Sequence, residues 1–479
     1  PRRIDPTRDR WRDAVDGWLF GGVAGESSAM SASATRQSIY RNALDDDASR
    51  RALTGGRVPV AIHGLGKMGL PLAAVYADVT GNVTGVDPDE SVVDAVSRGE
   101  SHVTGEPGLD HLVSRVVADG ALAAATDARV HVVIVPTLVD DESNPDLSIV
   151  ETVTRNVARG LEPGDLVIYE STLPPGTCRD RLHPLLADES GLDPEAFGVA
   201  FCPERTSSGR ALQDIRRAHP KIVGGVDTAS THAAMLVYDE ITENTVVPVD
   251  DATTAEAVKV FEGVYRDVNI ALANELARFA DELGVDAIEA IEVANTQPFC
   301  EIHDPGAGVG GHCIPYYPHF VIQQCETDTP LLETARAVNE RMEEFTVRKT
   351  VEELDRAGVP IEEATIAVLG VTYRPGIDET RASPAWTITS TLSAAGADVY
   401  NIDPVCSDLD AFAGRPATLS DLPAIDPDGM VLVTAHDAFA DIPWRRLTDP
   451  TVIDGRDALD VEPTDGHVYT IGSGPATSD

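Results

Sequence analysis

The chain has 479 residues, and its 79 acidic against 37 basic residues give a formal net charge of −42. The acidic residues are spread along the whole sequence, and only four of the basic residues are lysines. So negative a surface excludes nucleic acid and anionic membranes as partners, because both would be repelled. Self-repulsion also destabilises a compact acidic chain in dilute buffer, so we expect a salt-adapted cytoplasmic protein that folds in molar salt.

The cysteines and the apolar runs agree with that location. Six cysteines in a chain of this length, without any CxxC pair or zinc-site spacing, predict reduced thiols and no metal centre. No run approaches the roughly 20 apolar residues that a membrane span needs. The first residues also lack the apolar core of a signal peptide.

Residues 1–56 are rich in Arg, Ser, Ala and Asp, and we interpret them as an N-terminal extension outside the core fold, with its order left open. Over residues 57–249 short β-branched runs alternate with helical stretches, which is typical of a parallel sheet with crossover helices. These runs are VPVAI, NVTGVD, VHVVIVP, DLVIYE, FGVAFC, KIVGG and NTVVPV. This segment is predicted to be a Rossmann domain.

Residues 250–345 are predicted to form a central helical region. One helical pattern covers 251–294, and we expect its apolar stripe to pack while a neighbouring polar stripe faces a cleft. Another helix is expected around 330–357, and strand–helix units resume over 346–479 with TIAVLGVTY, ADVYNID, GMVLVTA and TVID. The predicted fold class is α/β, with two Rossmann-like doubly wound domains joined by a long central helix.

A glycine motif opens the first of these domains. Gly64-x-Gly66-x-x-Gly69 lies between a strand-like run and a helical stretch, so it can form a tight turn that a pyrophosphate approaches at a helix N-terminus. Asp87 ends the next apolar run, where a carboxylate can accept from both ribose hydroxyls and would repel a 2′-phosphate. The motif therefore predicts NAD rather than NADP.

A second glycine-rich segment, EIHDPGAGVGGHCIPYYPHF at residues 301–320, places Cys313 behind four glycines and beside His312. The segment is too rich in Gly and Pro for a helix, and such a loop presents a reactive thiol. A dinucleotide and a nucleophilic cysteine together predict oxidation through a covalent thioester.

Over about residues 57–470 the chain resembles the UDP-glucose/GDP-mannose dehydrogenase family, most closely its UDP-N-acetylmannosamine branch. The motifs that carry the resemblance are HGLGKMGLPLA, VPTLVDDESNPDLS, ESTLPPGT, CPERTSSGRALQDI, KIVGG, AEAVKVFEGVYRDVNIALANELA, PGAGVGGHCIP and YRPGIDETRASP. The resemblance implies a four-electron oxidation of the C6 alcohol of a UDP-sugar, with UDP-N-acetyl-D-mannosamine favoured. It also implies a UDP-binding C-terminal domain at 346–479 and a homodimer or larger assembly paired through the 250–345 region.

The resemblance also implies roles for residues at matching positions. Cys313 would carry a thiohemiacetal and then a thioester, Lys259 would stabilise oxyanion charge, and Glu204 would act as the base for hydrolysis. Thr172 would help to hold water and the nicotinamide. The residues implied to bind NAD are Gly64, Gly66, Lys67, Met68, Gly69, Asp87, Thr137, Thr172 and Arg381. Those implied to bind the sugar nucleotide are Glu204, Lys259, Arg266, Asn269, Gly310, His312 and Arg374.

Two positions depart from the family pattern. Gly263 stands where many members have Asn, four residues after the lysine, and Tyr317 stands where many have Asp, four residues after the cysteine. Because a phenol is not a base near neutral pH, we hypothesise that Glu204 takes over water activation.

Alternatives to the favoured reading remain open. UDP-glucose is the alternative substrate, and GDP-mannose is a further one. A non-catalytic nucleotide-sugar binder would explain the two departures, but it has no use for a thiol nucleophile. A two-electron dehydrogenase or a decarboxylase on the same architecture would differ in the NADH formed per sugar.

Overall fold

The computed structural model describes residues 37–123, 128–140, 142–461 and 467–475. Its contacts divide the chain into two compact units. Unit 1 extends to Phe261 and includes His319–Gln324, and unit 2 consists of Glu262–Pro318 together with the chain from Cys325 onward. The division falls inside a continuous helix, Ala252–Leu283.

Ten strands lie within the described part of unit 1. They are β1 Val60–His63, β2 Val83–Val86, β3 Leu122–Ala123, β4 Val130–Val133, β5 Leu138–Val139, β6 Pro145–Asp146, β7 Leu166–Tyr169, β8 Gly198–Phe201, β9 Lys221–Gly225 and β10 Val246–Pro248. Eight of them form one sheet in the order β10-β9-β8-β7-β4-β1-β2-β3, which is parallel except between β8 and β9. All seven runs expected to be strands are confirmed. The crevice at the carboxyl ends of β1 and β4, where the strand order reverses, is the ligand position in such sheets.

Both faces of this sheet are covered. Leu166 and Ile168 belong to one hydrophobic core, and Val167 and Tyr169, which alternate with them, belong to another. Burial on both faces explains why the strands are continuous apolar runs. The α-helices of the unit are Asp46–Thr54, Gly69–Thr80, Glu90–Ser97, Leu109–Ala118, Ser148–Ala158, His183–Ser190, Ala211–Gln213 and Thr228–Ile241.

The N-terminal extension differs from the expectation over its described part. Residues 37–56 are not outside the core fold: Tyr40 is buried, and its hydroxyl donates to Asp227 at 2.8 Å. Arg50, on the helix Asp46–Thr54, pairs with Asp239 and Glu240. Apolar burial and ion pairs with residues far along the chain therefore attach this segment to unit 1. Residues 1–36 lie outside the described residues.

Unit 2 repeats the same construction. Its strands are β11 Thr365–Leu369, β12 Asp398–Ile402, β13 Arg415–Ala417, β14 Gly429–Leu432, β15 Thr451–Asp454, β16 Val468–Thr470 and β17 Gly474–Pro475. They pair in the order β13-β12-β11-β14-β15-β16-β17, parallel except between β16 and β17. The helices are Ala287–Ala294, Pro330–Ala357, Ala385–Ala394 and Leu422–Ile425. The helix expected around 330–357 is confirmed.

The long helix differs from the expectation in two ways. The pattern over 251–294 is two helices, because Gly284 adopts a positive φ of 66° and ends Ala252–Leu283, and Asp286 then caps Ala287–Ala294. The apolar stripe expected to pack is in part exposed. The exposed members are Phe261, Tyr265, Leu272, Phe279 and Leu283.

Two further features are absent from the described ranges. No helix there is long and apolar enough to cross a membrane. In the same ranges, no group of three or more His, Cys, Asp or Glu side chains is arranged to hold a metal ion.

Candidate active site

The first glycine loop follows β1 at the point where the strand order reverses. Gly64 has a φ of 101°, in the region that favours glycine. A Cβ at Gly69 would collide with the Gly64 carbonyl oxygen, whereas a Cβ at Gly66 would meet no atom within 4 Å. Lys67 is exposed beside it. The loop is therefore closely packed where the next helix begins and open at Gly66, as the approach of a pyrophosphate to the backbone requires.

Asp87 follows β2 and holds this loop. Its Oδ2 accepts from the Leu65 backbone N–H at 2.8 Å, and its Oδ1 accepts from the Asp89 N–H at 3.0 Å. Burial raises the pKa of the Asp87 carboxyl, and the two backbone donors partly oppose the increase. The carboxylate is thus fixed next to the glycine loop, which is the position of a ribose acceptor in this kind of sheet.

The segments after β4 and β7 meet beside the glycine loop, where Val135 Cγ1 would lie 3.1 Å from a Cβ at Gly64. The Val135 N–H donates to Ser171 Oγ at 2.8 Å, and Thr172 follows Ser171 in a partly buried position. The hydroxyl of Thr137 is buried, and it has no hydrogen-bond partner among the described residues. A buried hydroxyl of this kind and the open space at Gly66 both fit a bound dinucleotide, which brings polar groups of its own.

Lys259 and Glu204 lie together in unit 1. The Lys259 ammonium donates to the Glu204 backbone carbonyl and lies 3.8 Å from its Oε2. The Glu204 carboxylate accepts from the backbone N–H of Thr206, and the Thr206 hydroxyl donates to Met68 Sδ at 3.0 Å. These contacts link the residues expected to serve as oxyanion-binding cation and base with the glycine loop.

A carboxylate that the sequence analysis did not select supports this cluster. Glu256 is fully buried one helical turn before Lys259, and it accepts from the N–H groups of Gly176 at 2.5 Å and Cys178 at 2.8 Å. Burial raises the pKa of Glu256 to about 7, against the effect of these donors. Glu256 therefore fixes the turn that follows Thr172. Its place in the AExxK motif is the signal that could have identified it.

Cys313 lies in unit 2 with an exposed side chain. The hydroxyl of Tyr317 donates to Cys313 Sγ at 3.1 Å. The backbone N–H groups of Tyr316 and Tyr317 both donate to the Cys313 carbonyl, at 3.1 and 2.9 Å. The cysteine therefore sits on a tight turn at the start of the helix Tyr317–Ile322, and its sulfur faces a phenol.

A buried polar network holds the chain next to Cys313. Arg336 donates to the Asp267 carboxylate at 2.5 Å and to the Ile314 carbonyl at 3.3 Å. Asn339 donates to the same carboxylate at 2.8 Å. Burial raises the pKa of Asp267, and the charge of Arg336 opposes this. The sequence analysis missed Asp267 and Arg336, although Asp267 lies in the YRDVN motif.

The end of the glycine run packs against other parts of unit 2. A Cβ at Gly310 would lie 2.8 Å from the Ala382 carbonyl oxygen and 2.9 Å from Tyr373 Cβ. The Gly311 N–H donates to the Arg381 carbonyl at 3.0 Å. Gly310, expected to contact substrate, therefore makes close contact with the protein itself.

The start of the run is held by a residue that sequence reasoning missed. Arg456 follows β15, donates to the Gly308 carbonyl at 2.9 Å and to the Val433 carbonyl at 2.8 Å, and fills the space beside Gly306. Burial lowers the pKa of the Arg456 guanidinium to about 10. No motif marks Arg456 in the sequence, because its partners lie far away along the chain.

Of the remaining expected residues, some lie at the cysteine loop and others are exposed to solvent. His312 contacts the Glu379 carboxylate, which also lies 3.6 Å from Arg381 Nε. Arg381, expected to bind NAD, is thus beside the cysteine loop in unit 2. Arg266 and Arg374 are exposed.

Asn269 is engaged with the start of the loop. Its amide donates to the Glu301 carbonyl at 2.7 Å and accepts from the His303 N–H at 2.7 Å. The structure therefore assembles the expected residues as two clusters. Unit 1 holds the glycine loop, Asp87 and the paired Lys259 and Glu204, and unit 2 holds the thiol with its supporting loop.

The sequence matches three domains of one protein family. The NAD-binding domain of the UDP-glucose/GDP-mannose dehydrogenase family matches residues 58–242, the central domain matches 253–341, and the UDP-binding domain matches 367–461.

Individual relatives agree. The UDP-N-acetyl-D-mannosamine dehydrogenase of Pyrococcus horikoshii is 36% identical over 422 residues, which are 86% of this chain and 98% of that protein. The NDP-N-acetyl-D-galactosaminuronic acid dehydrogenase of Ralstonia nicotianae is 36% identical over 409 residues, covering 83% and 95%. A solved structure of the Pyrococcus horikoshii UDP-D-ManNAc dehydrogenase superposes with a TM-score of 0.80 at 34% identity, covering 87% of this chain and 100% of that one.

Proposed function

We propose that this chain, which belongs to the UDP-glucose/GDP-mannose dehydrogenase family and is an NAD-dependent nucleotide-sugar dehydrogenase, oxidises the C6 alcohol of UDP-N-acetyl-D-mannosamine to the carboxylate. The observation that carries the proposal is Cys313, an exposed thiol that a hydroxyl contacts on a tightly packed loop. Binding of a sugar nucleotide needs no such nucleophile, whereas oxidation beyond the aldehyde uses a covalent acyl intermediate.

In the proposed reaction, Cys313 adds to the C6 aldehyde and then carries the acyl group as a thioester. Lys259 stabilises negative charge on the reacting oxygen, Glu204 takes a proton from the hydrolytic water, and Thr172 helps to position that water. NAD, when bound, supplies a hydride acceptor for each oxidation. The residues that would hold it are Gly64, Gly66, Gly69, Asp87 and Thr137, whose open space, carboxylate and hydroxyl fit a dinucleotide.

The choice of sugar is supported by the names of the relatives and by the GHCIP sequence of the cysteine loop. UDP-glucose is the alternative substrate. We would measure NADH formed per limiting UDP-N-acetyl-D-mannosamine, UDP-N-acetylglucosamine and UDP-glucose in molar KCl. Two equivalents from the first alone are expected; two from UDP-glucose alone would replace the substrate. One equivalent would contradict acid formation, and none from any sugar would favour GDP-mannose or a non-catalytic binder.

Matched variants assign the chemistry. Cys313→Ser should abolish acid formation, whereas Cys325→Ser, which changes another exposed cysteine, should leave it intact. Glu204→Gln should accumulate an acyl adduct on Cys313 that intact-protein mass spectrometry detects. Full steady-state turnover by Glu204→Gln would remove Glu204 from the hydrolytic step.

We also propose a cytoplasmic, salt-requiring homodimer or larger homo-oligomer. The exposed apolar side chains on the helix Ala252–Leu283 support association, because Phe261 is 59% and Tyr265 50% exposed. The net charge of −42 supports the salt requirement. Light scattering across a KCl series should show a folded oligomer only at high salt. A folded monomer at every KCl concentration would contradict both the proposed oligomer and the proposed salt requirement. Cell fractionation should recover the protein with cytosolic markers.

A further inference from the structure

The two positions that depart from the family pattern contact each other in unit 2. The ring of Tyr317 lies against Gly263 on the long helix, and the same side chain directs its hydroxyl to Cys313 Sγ at 3.1 Å. Tyr317 is buried, with 9% of its surface exposed. Its backbone N–H also donates to the Cys313 carbonyl at 2.9 Å, so the ring is anchored at both its backbone and its hydroxyl.

Gly263 is required by this ring. A Cβ at Gly263 would lie 2.9 Å from Tyr317 Cβ and 3.0 Å from its Cγ, with a still closer contact to Cδ2. Glycine inside a helix costs about 1 kcal/mol relative to alanine, so a glycine here needs a compensating reason. The space that it leaves is occupied by the aromatic ring.

We propose that Tyr317 is a positioning residue for Cys313, whose phenol hydrogen-bonds and stabilises the thiolate, and that Gly263 is the partner that admits the ring. A phenol keeps its proton near neutral pH and donates to sulfur, whereas a carboxylate at this position could only accept. The thiolate is needed when its lone pair forms the C–S bond to the aldehyde. It is formed again when water adds to the acyl carbon, the C–S bond breaks, and the bonding pair returns to sulfur.

The role in turnover rests on the proposed function, but the contact with the thiol does not. The first test is therefore alkylation of the full-length protein by iodoacetamide in molar KCl, followed at Cys313 by peptide mass spectrometry over a range of pH. Cys325, which is also exposed, serves as the internal reference in every sample.

In Tyr317→Phe, alkylation of Cys313 near neutral pH should slow about tenfold, because a hydrogen bond to a charged group is lost. At high pH, where the thiol is ionised in both proteins, the variant should react as fast as the wild type or faster, because a thiolate without that bond is more nucleophilic. Cys325 should be unaffected. Unchanged alkylation of Cys313, or equal slowing at every pH, would overturn the proposal.

The second test addresses Gly263. Gly263→Ala should lower the denaturant midpoint of the wild type, yet it should be neutral or stabilising in a Tyr317→Ala background, where the ring is gone. Equal destabilisation in both backgrounds would contradict the steric pairing. Failure of every sugar to yield NADH would reject the proposed function, whereas the alkylation profile would still decide the role of Tyr317.

Discussion

The two glycine-rich loops look alike in sequence and differ in what fills the space that their glycines leave. In the first loop, no protein atom lies within 4 Å of a Cβ placed at Gly66. In the second loop, the guanidinium of Arg456 occupies the space beside Gly306, and Tyr373 and the Ala382 carbonyl occupy the space beside Gly310.

This difference shows that the same residue serves two purposes. Glycine in the first loop leaves room for a ligand at a helix N-terminus. Glycine in the second loop lets the backbone pack closely against other parts of unit 2, and this packing makes the loop that carries Cys313 rigid. A run of glycines before a reactive cysteine is therefore evidence of tight packing as much as of ligand binding.

The largest expected effect comes from adding one methyl group to each loop. Gly310→Ala should lower the free energy of unfolding by about 3 kcal/mol and reduce turnover, because the new Cβ meets backbone at 2.8 Å. Gly66→Ala should change the free energy of unfolding by less than about 0.5 kcal/mol but raise KM for NAD. Guanidinium midpoints in molar salt and initial rates distinguish the two.

Neither glycine has a positive φ, so backbone strain does not confuse this comparison. A stable Gly310→Ala protein would mean that the second loop is loosely packed. An unchanged KM for NAD in Gly66→Ala would mean that the cofactor does not approach the backbone there.

A second comparison concerns the acids at equivalent strand ends. Asp87 follows β2 and accepts from two backbone N–H groups. Asp403 follows β12, and its Oδ2 accepts from the N–H groups of Val371 and Thr372 and from His436. Burial would raise the pKa of Asp403, but the hydrogen bonds from His436 and the backbone outweigh it and hold that pKa well below its usual range. The hydrogen-bonding capacity of Asp403 Oδ2 is thus used by groups of the protein itself.

Asparagine substitutions sharpen this second comparison. Asp403→Asn should cost about 2 kcal/mol of stability, because it leaves buried partners poorly matched, and it should not alter the preference between NAD and NADP. Asp87→Asn should cost about 1 kcal/mol of stability, because its NH2 group would face one of the two backbone N–H groups that now donate to the carboxylate. It should also shift the NAD/NADP ratio of kcat/KM about tenfold toward NADP, since a repelling charge is removed. An unaltered ratio in Asp87→Asn would show that Asp87 does not face the ribose.

Local sequence pattern was enough to predict eleven of the strands, but not the short strands β3, β5, β6, β13, β16 and β17. Each β-branched run forms a strand, and the expected helix is Pro330–Ala357. Both could be predicted because a continuous apolar run and a helical periodicity are patterns of consecutive residues. The packing of residues 37–56 was not predicted, since Tyr40 finds its partner Asp227 at a separation of 187 residues.

The same limit applied to the candidate site. Gly263 and Tyr317 were each recognised as departures, but a single sequence does not show that one side chain fills the space left by the other. Arg456 and Gly308 are 148 residues apart, and Asp267 and Arg336 are 69 apart. Long-range pairs of this kind decide where Cys313 is held, and no local motif encodes them.

The smallest predicted effect concerns the support beneath the first loop. His63 ends β1 directly before Gly64, and its Nε2 lies 3.2 Å from Nδ1 of His131 on β4. Burial lowers the pKa of His63 to about 3 and that of His131 to about 4. Both rings are thus neutral in the folded protein where the unfolded chain, with histidines near the ordinary value of 6.5, begins to bind protons.

The sign follows from this difference in bound protons. The unfolded state binds protons that the folded state does not bind, so stability should fall as the pH falls below the ordinary histidine pKa. The expected loss is about 1 kcal/mol per histidine between about pH 6.5 and about pH 5.5. His131→Gln, which is neutral at every pH, should remove one of these contributions. Denaturant midpoints of both proteins at the two pH values measure the change, and the acidic residues common to both cancel in the comparison. Parallel pH profiles would mean that His131 binds protons in the folded state as it does in the unfolded chain, and is not held neutral beneath the loop.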